Sequence, residues 1–290
     1  MASRYPSKTD PRFQHGLIIP DHAPKFKIKF EAGQKIFTIG SCFARNIESS
    51  LEALGVNIPT RSTKLGINEY NPGAILQRVK WALSNTIPNR GTIVQHLTNY
   101  YDLLLDGRNE LQARNDKGVP TIDLALARRA EMFLLYKNLA SADVVFFTLG
   151  FVEAWYDNET SCWLNRAPTF DMSNPRYELK KLDLATSIAL LSECMELLSD
   201  KKVIISVSPV PIEYTFNSKD CVVANLYSKS TLRLCAEALC DKFSHVDYFP
   251  GYEIIQTAGF NAFEDDLRHI KPEVVTRVCK YFIDTYSSAI

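Results

Sequence analysis

The sequence predicts an α/β fold, a parallel, doubly wound sheet with helices on both faces. Two near-continuous apolar runs, Val144-Val145-Phe146-Phe147-Thr148-Leu149 and Val203-Ile204-Ile205-Ser206-Val207, lack the alternation of a strand with one wet face. They read as strands covered on both sides. Around them lie stretches whose apolar residues recur three and four positions apart, the spacing of one helix face. With 290 residues, 46% apolar and 23% charged, the chain can bury a sizeable core.

Residues 1–34 are rich in Pro, Lys and Asp, hold no period, and are expected to form an extended arm; residues 35–290 are expected to form a single α/β domain. The domain opens with the β-branched and aromatic run Lys35 to Gly40. Ser41 and Cys42 follow, then Phe43, Ile47, Leu51 and Leu54 at helical spacing, with Gly55 as the stop. Asn71 as N-cap and Pro72 at the first helical position announce a second helix with Ile75, Val79 and Leu83 on one face. Residues 86–120, punctuated by Gly91, Gly107 and Gly118 with a hairpin pattern at Tyr100 to Leu105, read as an insertion and a candidate lid. A helix over roughly 124–139 leads into the first apolar run, and a helix carrying Leu179, Leu182, Ile188, Met195 and Leu198 leads into the second. A helix through Val223, Leu226 and Leu234 precedes a weaker strand at Val246 to Phe249. Pro272 starts the last helix, with Val275, Val278 and Phe282 on its face.

Thirty-three basic residues balance thirty-three acidic ones. The short clusters at Lys25/Lys27 and Lys180/Lys181 read as solvated faces, so nucleic acid is not an expected partner. The apolar runs are too short to span a bilayer, and the residues after Met1 form no secretory leader, so no membrane partner is expected. Seven cysteines, odd in number and without a C-x-x-C pair, argue against a disulfide framework and a zinc site. A reducing cytoplasm is the expected compartment.

In doubly wound sheets, ligands bind beyond the carboxyl ends of the strands. That rule selects Gly40-Ser41-Cys42, Gly150 to Glu153, Ser208 to Pro211, and the segment from Phe249 to His269. Ser41 sits where a strand turns into a helix, so it is either a plain N-cap or a nucleophile beside backbone N–H groups suited to an oxyanion. Asp266 lies three residues before His269, a spacing that lets a carboxylate hold one ring nitrogen while the other faces a nucleophile. Cys42 shares the helix N-terminus and is a competing nucleophile. Glu153 is suited equally to substrate hydroxyls or to an ion pair, and Trp155 and Tyr156 to sugar stacking or to packing.

Gly40-Ser41-Cys42-Phe43-Ala44 resembles the signature of the GSCFA family, a branch of the SGNH (GDSL-like) hydrolase superfamily. Tyr70-Asn71-Pro72, Thr148-Leu149-Gly150 with Glu153 and Trp155, Ser206 to Pro211, and Asp266/His269 before Pro272 extend the resemblance. It implies an SGNH-like three-layer α/β/α sandwich on a mostly parallel five-stranded sheet of flavodoxin-like order, with Ser41 as nucleophile, His269 as general base and Asp266 as its orienting carboxylate, and neither a metal nor an organic cofactor. Cys42, Asn68, Asn71, Gly150 and Glu153 are the candidates for oxyanion or substrate contacts. Two departures stand out: Val152 occupies the place of the superfamily's oxyanion Asn, and no Asp precedes Ser41. The expected function is an acyl esterase acting on a small-molecule or glycan ester, O-acetyl groups included. An O-acyltransferase with the same triad, a non-catalytic carbohydrate- or metabolite-binding protein, and a Cys42 thiol enzyme are the alternatives.

Overall fold

The structure, a computed structural model, describes residues 4–21, 27–31, 33–60, 68–84, 122–159, 161–164, 167, 175–217 and 220–287. The expected insertion at 86–120 lies outside them. In chain order the elements begin with β1 (Phe13–Gln14), β2 (Leu17–Ile18), β3 (Ile36–Gly40), α1 (Cys42–Ala53), α2 (Pro72–Leu83), α3 (Ile122–Lys137) and β4 (Val144–Leu149). They continue with β5 (Glu153–Asp157), β6 (Cys162–Leu164), β7 (Tyr177–Lys181), α4 (Leu184–Leu197), β8 (Lys202–Val207), α5 (Cys221–Lys242), β9 (Val246–Tyr248), α6 (Gly251–Thr257) and α7 (Pro272–Tyr286).

The principal sheet is parallel throughout, in the order β3-β4-β8-β9. Four strands are present among the described residues rather than the five expected. Beside β3, where a fifth strand would pair, there is a single parallel bridge between Lys35 and Asn57, with the Ile36 N–H donating to the Asn57 carbonyl at 3.0 Å. Pro59, which has no N–H to give, follows two residues later and is a physical reason for the pairing to stop there. The chain thus lays Asn57 on one side of β3 and β4 on the other.

Helices cover both faces. Ile36, Val144, Phe146 and Ile204 pack with Ile47 of α1, Ile254 of α6 and Phe282 of α7. Phe37, Ile39, Val145, Phe147 and Ile205 pack with Val79 of α2, Tyr136 of α3, Met195 of α4 and Leu239 of α5. Such two-sided burial explains why these strands read as unbroken apolar runs. In the N-terminal segment, Leu17, Ile28 and Phe30 are buried in the α1/α7 layer, the Phe30 ring stacking on Phe282 at 5.8 Å.

Two expectations about helices are corrected. Leu179 lies not on a helix but in β7, which pairs antiparallel with β5 in a separate three-stranded sheet, β6-β5-β7. Helix α4 starts only at Leu184, where the Asp183 carboxylate accepts the Thr186 N–H at 2.7 Å. On α5, Val223, Leu226 and Leu234 are exposed, and the buried face is Ala224, Ser228, Lys229, Leu232, Cys235, Ala236 and Leu239. A lysine and a serine on that face broke the apolar period and shifted the reading to the wrong side.

Gly40 ends β3 at φ 152°, and a Cβ there would sit 2.3 Å from the Thr148 carbonyl oxygen. The closeness of the β3 and β4 ends therefore depends on glycine. Gly40→Ala should cost about 3 kcal/mol or more, from backbone strain plus the clash, read as a shift in the urea midpoint. A stability within about 0.5 kcal/mol of wild type would contradict this packing.

Candidate active site

Ser41 follows β3 directly and caps α1, with φ −68° and ψ 178°. Its N–H is held by Thr148, through the carbonyl and the hydroxyl at 3.1 Å each. Its Oγ accepts the Phe43 N–H at 3.3 Å, lies 3.4 Å from Thr148 Oγ1 and donates to Ser208 Oγ at 2.8 Å. Ser208 follows β8, and its own N–H donates to the Leu149 carbonyl at 2.8 Å. Three adjacent strand ends thus converge on one hydroxyl. Cys42 N–H has no hydrogen-bond acceptor on another residue among the described residues, whereas those of Ser41 and Phe43 are engaged.

Ser41 is only 2% exposed, and it opens onto a cavity of about 530 Å³. Ser41, Cys42, Gly150, Glu153 and Arg268 line it, with Tyr70, Phe151, Trp155, Leu164, Ile212 and Phe216 supplying apolar wall. Gly150 and Phe151 both donate their N–H to the Tyr70 carbonyl at 3.0 Å, and the Tyr70 and Phe151 rings stack at 5.1 Å. A Cβ on Gly150 would come within 2.7 Å of that carbonyl, so this glycine serves close approach rather than an oxyanion. Glu153 fastens the segment after β8: it accepts from Thr215 Oγ1 at 2.7 Å, from Phe216 N–H at 3.1 Å and from the Asn217 amide.

Neither of the two expected Asn donors lines the cavity. Asn71 is fully buried, its Oδ1 capping α2 through Ala74 N–H at 2.9 Å and its amide held by the Leu164 carbonyl at 3.1 Å. Asn68 is not among the lining residues. Val152 is buried in the α2–α5 layer.

Lys229 of α5 is fully buried and donates from Nζ to the Gly150 carbonyl at 2.7 Å and to the Val210 carbonyl at 2.8 Å. It ties the loop after β4 to the loop after β8. Burial pushes its pKa down to about 7, with the neighbouring Cys42 opposing. Burial also raises the Cys42 thiol, against the pull of Lys229 and Arg268. Cys42 therefore lines the site as a neutral thiol, which weakens it as a nucleophile.

Asp266 and His269 form the expected pair on the exposed loop before α7. Asp266 Oδ1 accepts the N–H groups of Arg268 and His269 at 2.9 Å each, and its Oδ2 bonds His269 Nδ1. The His269 N–H first, then the Arg268 N–H and the His269 ring, hold the carboxyl well below the usual carboxylate range. With Nδ1 on the carboxylate, Nε2 is the nitrogen left to act. Among the described residues His269 makes no hydrogen bond to Ser41, and its side chain is 52% exposed. Its neighbour Arg268 does line the cavity and pairs with Glu213 at 3.1 Å.

Sequence reasoning singled out the segments of Thr148, Ser208 and Tyr70 without giving these side chains a role, and it missed Lys229 and Arg268. Of the last two, Lys229 carried a signal, a cation in phase with Leu232, Ala236 and Leu239. Among the described residues no cluster of His, Cys, Asp and Glu is placed to hold a metal, and no helix is long and apolar enough to cross a membrane.

The fold and the site define an α/β protein with a helix-capping serine at the carboxyl end of a strand in a parallel sheet. The model of the GSCFA family matches residues 35–282, and the chain belongs to that family. No curated protein and no solved structure compared with the chain matches it.

Lys229→Met would leave the Gly150 and Val210 carbonyls without their buried donor, at a cost of about 2 kcal/mol. With its folded pKa near 7 and its ordinary value at 10.5, the folded state binds fewer protons between those pH values, so this group's contribution to stability rises with pH there. Urea unfolding should show wild type gaining stability relative to Lys229→Met from pH 7 towards 10.5. Parallel profiles would contradict the assignment.

Proposed function

We propose that the protein is an SGNH-type serine hydrolase, an acyl esterase acting through Ser41, His269 and Asp266. The observation that carries this reading is Ser41 opening onto the cavity while the Asp266–His269 pair stands on the loop whose Arg268 lines the same cavity. Helices on both faces of the parallel sheet fit a three-layer SGNH sandwich, and the Asn57 bridge on the side of β3 away from β4 fits the flavodoxin-like arrangement. Free cysteines fit a reducing compartment.

In the first half-reaction Ser41 Oγ bonds to the ester carbonyl carbon while its proton passes to His269 Nε2. The tetrahedral intermediate collapses, the carbon–alkoxy bond breaks, and His269 returns the proton to the departing alcohol. Water then adds to the acyl-enzyme with the same proton traffic, releasing a carboxylic acid and restoring Ser41. Asp266, kept ionised by two backbone N–H groups, orients the imidazole and stabilises its cation. Cys42 N–H at the positive end of α1 is the candidate oxyanion donor. For His269 to reach Ser41 its loop must turn inward from its exposed position, in keeping with catalytic hydrogen bonds that tighten only on substrate. An acceptor hydroxyl in place of water would make the same machinery an O-acyltransferase.

A binding protein on the same fold is the second reading. It is favoured by the buried, donor-free Val152 side chain and by the absence of a Ser41–His269 bond among the described residues. Intact-mass analysis after fluorophosphonate treatment separates the two. The esterase reading predicts one adduct, lost in Ser41→Ala, slowed at least about a hundredfold in His269→Ala and kept in Cys42→Ala. No adduct on folded wild type would favour the binding protein, and an adduct requiring Cys42 would name the other nucleophile.

A further inference from the structure

We infer that the cavity beside Ser41 is an acyl pocket for a medium-chain or aryl carboxylic ester, not an acetyl site; this deepens the esterase reading and rests on it. At about 530 Å³ the cavity is within the range that holds whole ligands, roughly 300–1,000 Å³, and an acetyl methyl would leave nearly all of it unfilled. Its wall is apolar, contributed by Tyr70, Phe151, Trp155, Leu164, Ile212 and Phe216. The aromatic members are fixed against each other: Tyr70 stacks on Phe151, and Trp155 meets Phe216 edge to face at 5.6 Å. A preformed apolar wall rewards a ligand for each methylene it removes from water.

The carboxylates of the lining, Glu153 and Glu213, have other partners, whereas Trp155 Nε1 and Arg268 Nε are buried without one among the described residues. Glu153 is satisfied by Thr215, Phe216 N–H and Asn217, so it fastens the wall instead of meeting a sugar hydroxyl. Arg268 and Glu213 are paired, and Arg268 belongs to the loop that carries His269. The chemistry then orients the ester. The group that protonates the leaving alcohol must stand on the alcohol's side of the carbonyl, so the alcohol lies towards the Arg268–His269 loop. The acyl half is left to the aromatic wall formed by the loop after β4 and the antiparallel sheet.

The test has two arms on the full chain. Hydrolysis of p-nitrophenyl acetate, butyrate, hexanoate and octanoate is compared as kcat/KM, corrected for each ester's spontaneous rate. Binding of sodium acetate and sodium octanoate is measured by calorimetry. The acyl pocket predicts kcat/KM rising about fourfold per methylene until the cavity fills. It also predicts binding of octanoate without binding of acetate, and an octanoate-to-acetate ratio several-fold lower in Phe216→Ala, whose side chain is 42% exposed and outside the core. Octanoate binding without hydrolysis of any ester would overturn the esterase reading and sustain the apolar pocket. Hydrolysis with a flat or acetate-favouring profile and no octanoate binding would overturn the pocket and leave the esterase. Neither binding nor hydrolysis would overturn both.

Discussion

Where β3 ends, its last residue must pass so close to β4 that no side chain fits between them. Gly40 lies against the Thr148 carbonyl, and the next N–H, that of Ser41, is captured by the same residue. This contact sets the direction in which the chain leaves the sheet, hence the angle at which α1 begins and the place where its capping hydroxyl comes to rest. Glu69 N–H donates to the Gly40 carbonyl at 2.7 Å, and Tyr70 then accepts from Gly150 and Phe151, so the segment before α2 is laid across the same two strand ends. Two glycines permit these approaches at the carboxyl ends of β3 and β4, the end of a parallel sheet at which ligands bind.

Around that contact the protein buries charge with its partners supplied. Glu48 accepts from Thr38, Thr60 and Arg45. Glu69 pairs with Arg78, whose guanidinium also lies over the rings of Trp81 at 5.0 Å and Tyr136 at 5.3 Å. Lys229 holds two loop carbonyls, and Glu153 holds a third segment. Satisfied polar networks of this kind gain in conformational definition what desolvation takes in stability. The Ser41 side of the cavity is consequently held by many bonds. The Asp266–His269 loop is the reverse, exposed and tied mainly to itself, with Leu267 at φ 56° in its tip. A densely bonded serine and an exposed imidazole are the physical asymmetry of this site.

Much of this was legible from residue pattern. Ser41 as a strand-to-helix cap, Asn71-Pro72 as a helix start and the core strands at 144–149 and 202–207 all follow from local rules, and the structure has each of them. The Asp266/His269 pairing was equally local, three residues apart on one loop. What was hidden depends on distant residues. Glu153-Ala154-Trp155-Tyr156-Asp157 becomes a strand because residues 162–164 and 177–181 pair with it, and Leu179 carried no mark distinguishing strand from helix. Asn71 looked like a donor for substrate until Leu164, far along the chain, took its amide. Lys229 is buried because two loops need its donors, a demand visible only once both loops are in place.

The proposed mechanism requires Ser41 and His269 to meet over a bound ester. A crystal structure of the protein inactivated by an octyl fluorophosphonate tests it most directly. The account predicts phosphorus bonded to Ser41 Oγ, the octyl chain between Phe151, Trp155 and Phe216, and His269 Nε2 turned in to within about 3 Å of Ser41 Oγ. Phosphorus on another residue, or a Ser41 adduct with His269 still turned to solvent and the chain outside the cavity, would contradict it.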